Sequence, residues 1–348
     1  NIFFAASPLH LICLNELRHR ENISRFKLIL LLHKDHKHGL NQMFITLEKF
    51  KMQNYIILWI PKISIIRFFF ELSLILKFKI KYFNQKKRFV LIDFRNIFMH
   101  SLRRFFKNDD FILIDDGFHT FVAQENYMSK NIFLPELMYK SFNGNLAKKL
   151  YYGKSYNSLK NNPLKLFTIY ADEINNKNAI MNDLAHLKKS IKKEELIFSD
   201  NKVYFAGTKL VERGVLTFEQ ELEIISKLNS YWIKRDKEMF YVGKRSSTKE
   251  KLERFEENGI KTLNFEQPLE IVFSEMLEIP SHICTFGSTL QKSLKLLFDD
   301  KIQFYFIDLI KYFSFSNNRG ITFRGNEIDK NISKYSINSN NIETLNLD

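Results

Sequence analysis

Only two cysteines, Cys13 and Cys284, occur in the 348 residues. That excludes a disulfide framework and any four-cysteine zinc site, and it fits a reducing compartment. The chain also lacks the run of about 20 nearly uncharged residues that a membrane-spanning helix needs. Its most apolar stretch, Tyr55 to Phe83, is broken by Pro61, Lys62, Arg67, Glu71, Lys77, Lys79 and Lys81. The sequence opens on Ile2-Phe3-Phe4-Ala5-Ala6 with no positive segment before it, so no signal peptide and a cytoplasmic location are expected. No internal repeat, Gly-x-Gly-x-x-Gly or P-loop signature is present. Acidic residues are in deficit, 39 against 53 basic ones, for a formal net charge of +14. A partner or surface of negative charge is therefore expected. The stretch from Ile65 to Tyr82 reads in two ways: a buried helix whose lysines snorkel to water, or a basic amphipathic patch at the surface of an anionic membrane.

What the chain does contain is ample core material, with 45% apolar residues and 35 phenylalanines, and a length that favours two domains. Short continuous apolar runs predict strands at Ile2–Ala5, Phe26–Leu32, Tyr55–Ile60, Phe89–Ile92, Phe111–Ile114 and Leu166–Tyr170. A second series follows at Val203–Ala206, Met239–Val242, Ile260–Leu263, His282–Phe286 and Ile302–Ile307. Runs of this kind suit parallel strands buried on both faces. Helical periodicity lies between them, at Leu9–Arg20, Gly39–Met52, Ile65–Tyr82, Thr217–Lys234, Lys249–Glu257 and Leu290–Phe298. Such alternation predicts an α/β protein of two doubly wound domains. The charged segment 171–200, after Pro163, reads as a helical linker between domains at 1–170 and 201–315. The Asn- and Ser-rich stretch 316–348 reads as a poorly packed tail, with one returning helix at Ile307–Phe313.

Three strand ends carry chemistry. Phe111-Ile-Leu-Ile-Asp115-Asp116-Gly117-Phe118-His119-Thr120 ends a buried strand in two carboxylates, where an open α/β sheet places its ligands. Adjacent carboxylates raise each other's pKa and burial adds to that, which would allow a general base near neutrality; an ordinary Asp-Gly turn explains the same letters. Met239-Phe-Tyr241-Val242-Gly243-Lys244-Arg245-Ser246-Ser247-Thr248 ends a strand in two cations and three hydroxyls before a helix, a combination that suits a phosphate or simply a solvated loop. His282-Ile-Cys-Thr285-Phe286-Gly287-Ser288-Thr289-Leu290 places a glycine and two hydroxyls at a helix start, as an anion site or an ordinary N-cap would.

Taken in order, these segments resemble the bacterial sialyltransferases of glycosyltransferase family 52 and the related bacterial polysialyltransferases. The likeness rests on Asp115-Asp116-Gly117, Tyr241-Val242-Gly243-Lys244-Arg245 and Ser288-Thr289. The opening Ala6-Ser7-Pro8-Leu9-His10, Phe205-Ala206-Gly207 with Val211–Thr217, and Pro268-Leu269-Glu270 add to it. The resemblance implies a GT-B fold with two Rossmann-like domains facing across a cleft. The N-terminal domain would serve the acceptor and the C-terminal one the nucleotide sugar. It implies an inverting transfer of sialic acid, or a related nonulosonate, from a CMP-activated donor to a glycan or glycolipid hydroxyl in bacterial surface polysaccharide synthesis. Asp116 would be the base, oriented by Asp115. Gly207, Gly243, Lys244, Arg245, Glu270, Ser288 and Thr289 would hold the donor, Glu270 through its ribose. Ser7, Gly117 and His119 would lie on the acceptor side.

One position departs from that family: Lys244 stands where its members carry a histidine that binds the phosphate and donates a proton. Lysine neutralises a phosphate well but, at an ordinary pKa of about 10.4, donates protons poorly at pH 7. A single-phosphate leaving group needs no metal bridge, and neither a cofactor nor a metal is expected. His33, Asp35, His36 and His38 are interleaved with Lys34 and Lys37, which favours a solvated loop over a metal centre. Two other readings stay open: a GT-B transferase with a UDP-hexose donor, for which Lys244 and Arg245 together would suit a diphosphate, and a basic nucleic-acid-binding protein. Against the latter, the basic residues are scattered and form no recognised motif. Oligomeric state, a homodimer included, is not fixed by the sequence.

Overall fold

Strands that are apolar on both faces need helices on both faces, and the apolar runs form such sheets. The computed structural model describes residues 1–32, 37–93, 96–117, 120, 164–212, 214, 216–244, 247–307 and 342–345. The chain divides into two units, Asn1–His186 and Leu187–Asp348.

The first unit runs β1 (Ile2–Ala5), α1 (Pro8–Arg20), β2 (Lys27–Leu32), α2 (Lys37–Lys49), β3 (Tyr55–Trp59), α3 (Ser64–Lys81), β4 (Arg88–Leu91), α4 (Ile97–Phe105), β5 (Asp110–Ile114), β6 (Lys165–Thr168) and β7 (Ala179–Met181). The strands pair in parallel in the order β3-β2-β1-β4-β5-β6-β7. The winding therefore reverses between β1 and β4. Phe3 and Phe4 of β1 are fully buried, and Phe4 meets Phe78 of α3 and Phe98 of α4 edge to face. Burial of each such side chain is worth about 1.5–3 kcal/mol.

After one helical turn, α5 (Ala185–Lys188), the second unit repeats the plan. Its elements are β8 (Ile197–Ala206), α6 (Phe218–Ile233), β9 (Glu238–Val242), α7 (Lys249–Glu257), β10 (Lys261–Leu263), α8 (Leu269–Glu275), β11 (Glu278–Thr285), α9 (Leu290–Phe298), β12 (Gln303–Ile307) and β13 (Ile342–Leu345). The parallel order is β10-β9-β8-β11-β12-β13, with the reversal between β8 and β11. Phe205 stacks on Tyr241 and meets Phe286 edge to face in the core. Among the described residues no helix is long and apolar enough to cross a membrane.

Two expectations need correction. The segment 171–200 is not a helical linker: it holds the edge strand β7, one turn of helix and the start of β8. Helix α1 pins its first part, as far as His186, to the first unit. Arg20 donates to the carbonyl of Met181 (2.8 Å), Asn182 donates to Cys13 Sγ (3.7 Å), and the His186 amide donates to buried Glu16 (2.8 Å). Tertiary anchors of this kind override local helix propensity between Ala179 and His186. The stretch 316–348 is not wholly a loose tail either, because β13 adds to β12 and buries Leu345. The helix expected at Ile307–Phe313 lies, beyond Ile307 itself, outside the described residues, and Ile307 ends β12. Helices α4 and α8, nine and seven residues long, are additions.

The second unit encloses a charged network. Glu221 of α6, fully buried, accepts from the Tyr241 hydroxyl (2.8 Å). The Lys251 ammonium, on α7, lies 2.7 Å from Glu221 Oε2 and 3.4 Å from Glu212. Burial raises the Glu221 pKa, while Lys251 and Tyr241 oppose the rise. Removing one member of a buried pair leaves the other uncompensated. Lys251→Met should therefore cost about 3 kcal/mol in urea unfolding, and adding Glu221→Gln, which keeps an acceptor for Tyr241, should recover most of it. Equal stability of Lys251→Met and the wild type would show that the pair is solvated.

Candidate functional site

In the first unit the carboxyl ends of β1 and β5 meet at one side chain, His10. Ser7 caps α1 by accepting from the His10 amide (3.4 Å), and Pro8 occupies the first turn, where a missing N–H costs nothing. This start turns the buried His10 ring back over the end of β1, where the Ala6 amide donates to Nδ1 (3.1 Å). With Nδ1 engaged as acceptor, the ring proton sits on Nε2, which donates to Asp116 Oδ1 (3.2 Å). The Asp116 side chain keeps 25% of its surface exposed. One carboxylate is thus held by an imidazole and partly exposed to solvent.

Asp115, one residue earlier, is different. It is buried, Oδ2 accepts from the Ile169 amide (2.8 Å), and Oδ1 accepts from the Thr120 hydroxyl (2.9 Å). Burial pushes its pKa up to about 6, against the opposing hydrogen bonds of Thr168, Ile169 and Thr120; the neighbouring Asp116 charge is the smallest contributor. Desolvation, rather than the adjacent carboxylate, dominates the rise. Both oxygens are occupied, so Asp115 fixes the end of β5, and Asp116 is the half-buried member of the pair. Gly117 follows at φ +65°, a left-handed turn that favours glycine. Ser7 and Gly117 flank the pair, and His119 lies outside the described residues.

In the second unit the candidates lie at strand ends or helix starts around the β8/β11 reversal. Gly207 follows β8 and donates to the Val242 carbonyl (2.9 Å); a Cβ there would sit 2.8 Å from both that oxygen and the Tyr241 hydroxyl. Only glycine permits this approach of two chains. Gly243 follows β9, and the exposed Lys244 closes a turn with Ser247, which accepts from its amide (3.1 Å). Glu270, in the first turn of α8, is partly exposed yet surrounded by protein. Desolvation raises its pKa, and the Lys244 charge and the Ser293 hydroxyl pull it back. Lys244, Glu270 and the first turns of α9 therefore converge. Ser288 Oγ accepts from the Leu290 amide (3.3 Å), whereas the Thr289 side chain makes no capping bond. Arg245 and the His33, Asp35 and His36 positions lie outside the described residues, as does the side chain of His38. Among the described residues no group of three His, Cys, Asp or Glu side chains could hold a metal ion.

Sequence reasoning does not reach the pairing of His10 with Asp116, nor two buried polar groups in the second unit. Thr208 Oγ1, just beyond β8, and Gln291 Nε2, in the first turn of α9, are buried without a hydrogen-bond partner. An unmet buried polar group costs about 1–3 kcal/mol, which a ligand with acceptor oxygens would relieve. No local signal distinguishes either residue from an ordinary turn or cap.

No family model matches the chain, and no curated protein matches it. Solved structures do. UDP-GlcNAc 2-epimerase from Methanocaldococcus jannaschii shares 13% identity at a TM-score of 0.51, covering 98% of this chain and 93% of that one. S. aureus MnaA, in a UDP co-structure, shares 8% identity at a TM-score of 0.50, covering 96% and 88%. At these identities the likeness is one of fold, and the fold is the α/β GT-B type with two parallel-sheet units.

The raised pKa of Asp115 gives a signed pH effect. The native carboxyl holds its proton more tightly than the unfolded one, so the folded state binds more protons between the ordinary value of 3.8 and about 6. Stability contributed by this group is therefore greatest below the unfolded pKa and is lost as pH rises to about 6. Relative to Asp115→Asn, the wild type should lose urea resistance between pH 4 and pH 6.5. Parallel curves for the two proteins would show that Asp115 titrates normally.

Proposed function

We propose that the protein is an inverting glycosyltransferase that moves sialic acid, or a related nonulosonate, from a CMP-activated donor to a glycan or glycolipid hydroxyl. The observation that carries this reading is the His10–Asp116 pair at the carboxyl edge of the first sheet. The acceptor oxygen attacks the anomeric carbon as the bond from that carbon to the phosphate oxygen breaks. Asp116 takes the acceptor proton, and CMP departs with the electron pair. His10, donating through Nε2, aims the Asp116 carboxylate and stabilises its charge before the proton arrives. Asp115 keeps the end of β5 in place.

The second unit supplies the nucleotide end. Lys244 neutralises the charge growing on the leaving phosphate. Ser288, Thr289, Gln291 and Thr208 offer hydrogen-bond groups around the start of α9, and Glu270 suits a ribose hydroxyl. Gly207 and Gly243 keep the strand ends free of side chains. A second reading, a UDP-sugar donor, draws on the fold neighbours named for UDP-GlcNAc or UDP and on Lys244 in place of the histidine expected from the resemblance.

Thermal unfolding with CMP, UDP and their activated sugars separates these readings, because a ligand bound only by the native state stabilises it. CMP and CMP-sialic acid should raise the midpoint, by about 2.7 kcal/mol of stability at a hundredfold excess over Kd, and UDP should not. Stabilisation by UDP alone would select the second reading, and no response to either nucleotide would remove the transferase assignment. Asp116→Asn should keep the nucleotide response while transfer falls about 10²–10⁴-fold. Lys244→Ala should lose about 3 kcal/mol of transition-state stabilisation, with partial recovery in Lys244→His. Wild-type turnover in Lys244→Ala would assign its role to another group.

A further inference from the structure

Helix α3 is apolar on two opposite faces. Phe68, Leu74, Ile75 and Phe78 are buried against the first sheet's core. The far side presents Ile65, Phe69, Leu76 and Ile80, which are 44%, 59%, 49% and 79% exposed. At 100° per residue these four fall on one stripe. The flanking Ile63 and Phe83 are 61% and 75% exposed and extend it at both ends. Of the 13 large apolar side chains that are exposed among the described residues, seven lie between Ile63 and Phe83. Scattered exposed apolar residues need no explanation, but a stripe of this length marks an interaction surface.

Charge identifies the partner. Lys77 and Lys81 border the stripe on one side and Lys79 on the other, and all three are exposed. The helix has one carboxylate, Glu71, which is buried and bound by Arg67 (2.7 Å). The outer surface of α3 is therefore apolar along its length and positive around its C-terminal end. A second copy with its helix running in the same direction would set lysines against lysines. An anionic bilayer answers both features, with acyl chains for the stripe and phosphates for the lysines at its end.

We propose that α3 lies in the headgroup region of an anionic membrane, inserting Ile65, Phe69, Leu76 and Ile80 and placing Lys77, Lys79 and Lys81 against lipid phosphates. The start of α3 follows the carboxyl end of β3, on the sheet edge that also carries Asp116. Resting on the transfer reading above, this placement favours acceptors presented at a membrane surface, such as glycolipids.

Flotation of the full chain with phosphatidylcholine vesicles, and with vesicles mixing phosphatidylcholine and phosphatidylglycerol, tests the docking without reference to activity. The wild type should float with the anionic vesicles only, and less so as salt rises. Each lysine near such a surface is worth about fivefold in partitioning, so the triple Lys77→Glu, Lys79→Glu, Lys81→Glu variant should bind at least about a hundredfold more weakly. Phe69→Ser with Ile80→Ser should abolish flotation with every lysine intact. These positions are exposed, and an unchanged circular dichroism spectrum confirms folding. No flotation of the wild type, or undiminished flotation of the serine variant, would overturn the proposal. So would light scattering that shows a dimer in the wild type and a monomer in the serine variant, which would assign the stripe to a contact between copies. Nucleotide-dependent stabilisation of the same proteins is read separately, so failure of the transferase reading leaves the flotation result standing.

Discussion

The amide of Ala6 sets the chemistry of the first unit. By donating to His10 Nδ1 it places the ring proton on Nε2, and that proton is what binds Asp116. Two neighbouring pieces of chain, the end of β1 and the first turn of α1, and one distant piece, the end of β5, depend on this arrangement. Each is fixed by its own local means. Ser7 and Pro8 define the helix start, continuous apolar burial fixes β1, and Asp115 clamps the end of β5 to the backbone at Ile169. The half-buried Asp116 carboxylate is thus the end point of a set of buried constraints, as the proposed role of an oriented base would require.

The two units share a winding pattern, and with it a reason for where polar groups collect. Strands buried on both faces offer no room for charge along their length. Their carboxyl ends release the chain into turns and helix starts, where unpaired amides and short polar side chains accumulate. In the first unit this produces the Asp115–Asp116 pair under His10. In the second it produces Lys244, Glu270, Ser288 and Thr289, with the buried polar groups of Thr208 and Gln291. The charged network behind β9 serves the same edge, since Glu221 holds the Tyr241 hydroxyl that leaves room at Gly207 only for hydrogen.

Much of the fold is legible in the sequence because the strands are unbroken apolar runs separated by periodic helices. Eleven such runs predict strands, and each meets an observed one. What escapes is short or held by distant groups. β7 is three residues, Ala179–Met181, set among asparagines and lysines, and it is in place because α1 reaches it with Arg20. β13 comes after a long polar stretch and gains its place by pairing with β12. At the site, Asp115 and Asp116 stand out as letters, while the division between a buried clamp and a half-buried carboxylate depends on Ile169, Thr120 and His10. His10 lies 106 residues from its partner, a separation that no local pattern can bridge. The outer face of α3 is a further case, since sequence alone leaves its apolar residues divided between core and surface.

A double-mutant cycle between His10 and Asp116 on transfer from CMP-sialic acid tests the joint action of the pair most directly. If His10 acts only by aiming and charging Asp116, Asp116→Ala and the double variant should lose the same activity, on the order of 10²–10⁴-fold. His10→Ala alone should account for a large part of that loss. Independent losses that multiply in the double variant, or full activity in His10→Ala, would contradict a base built from the two residues together.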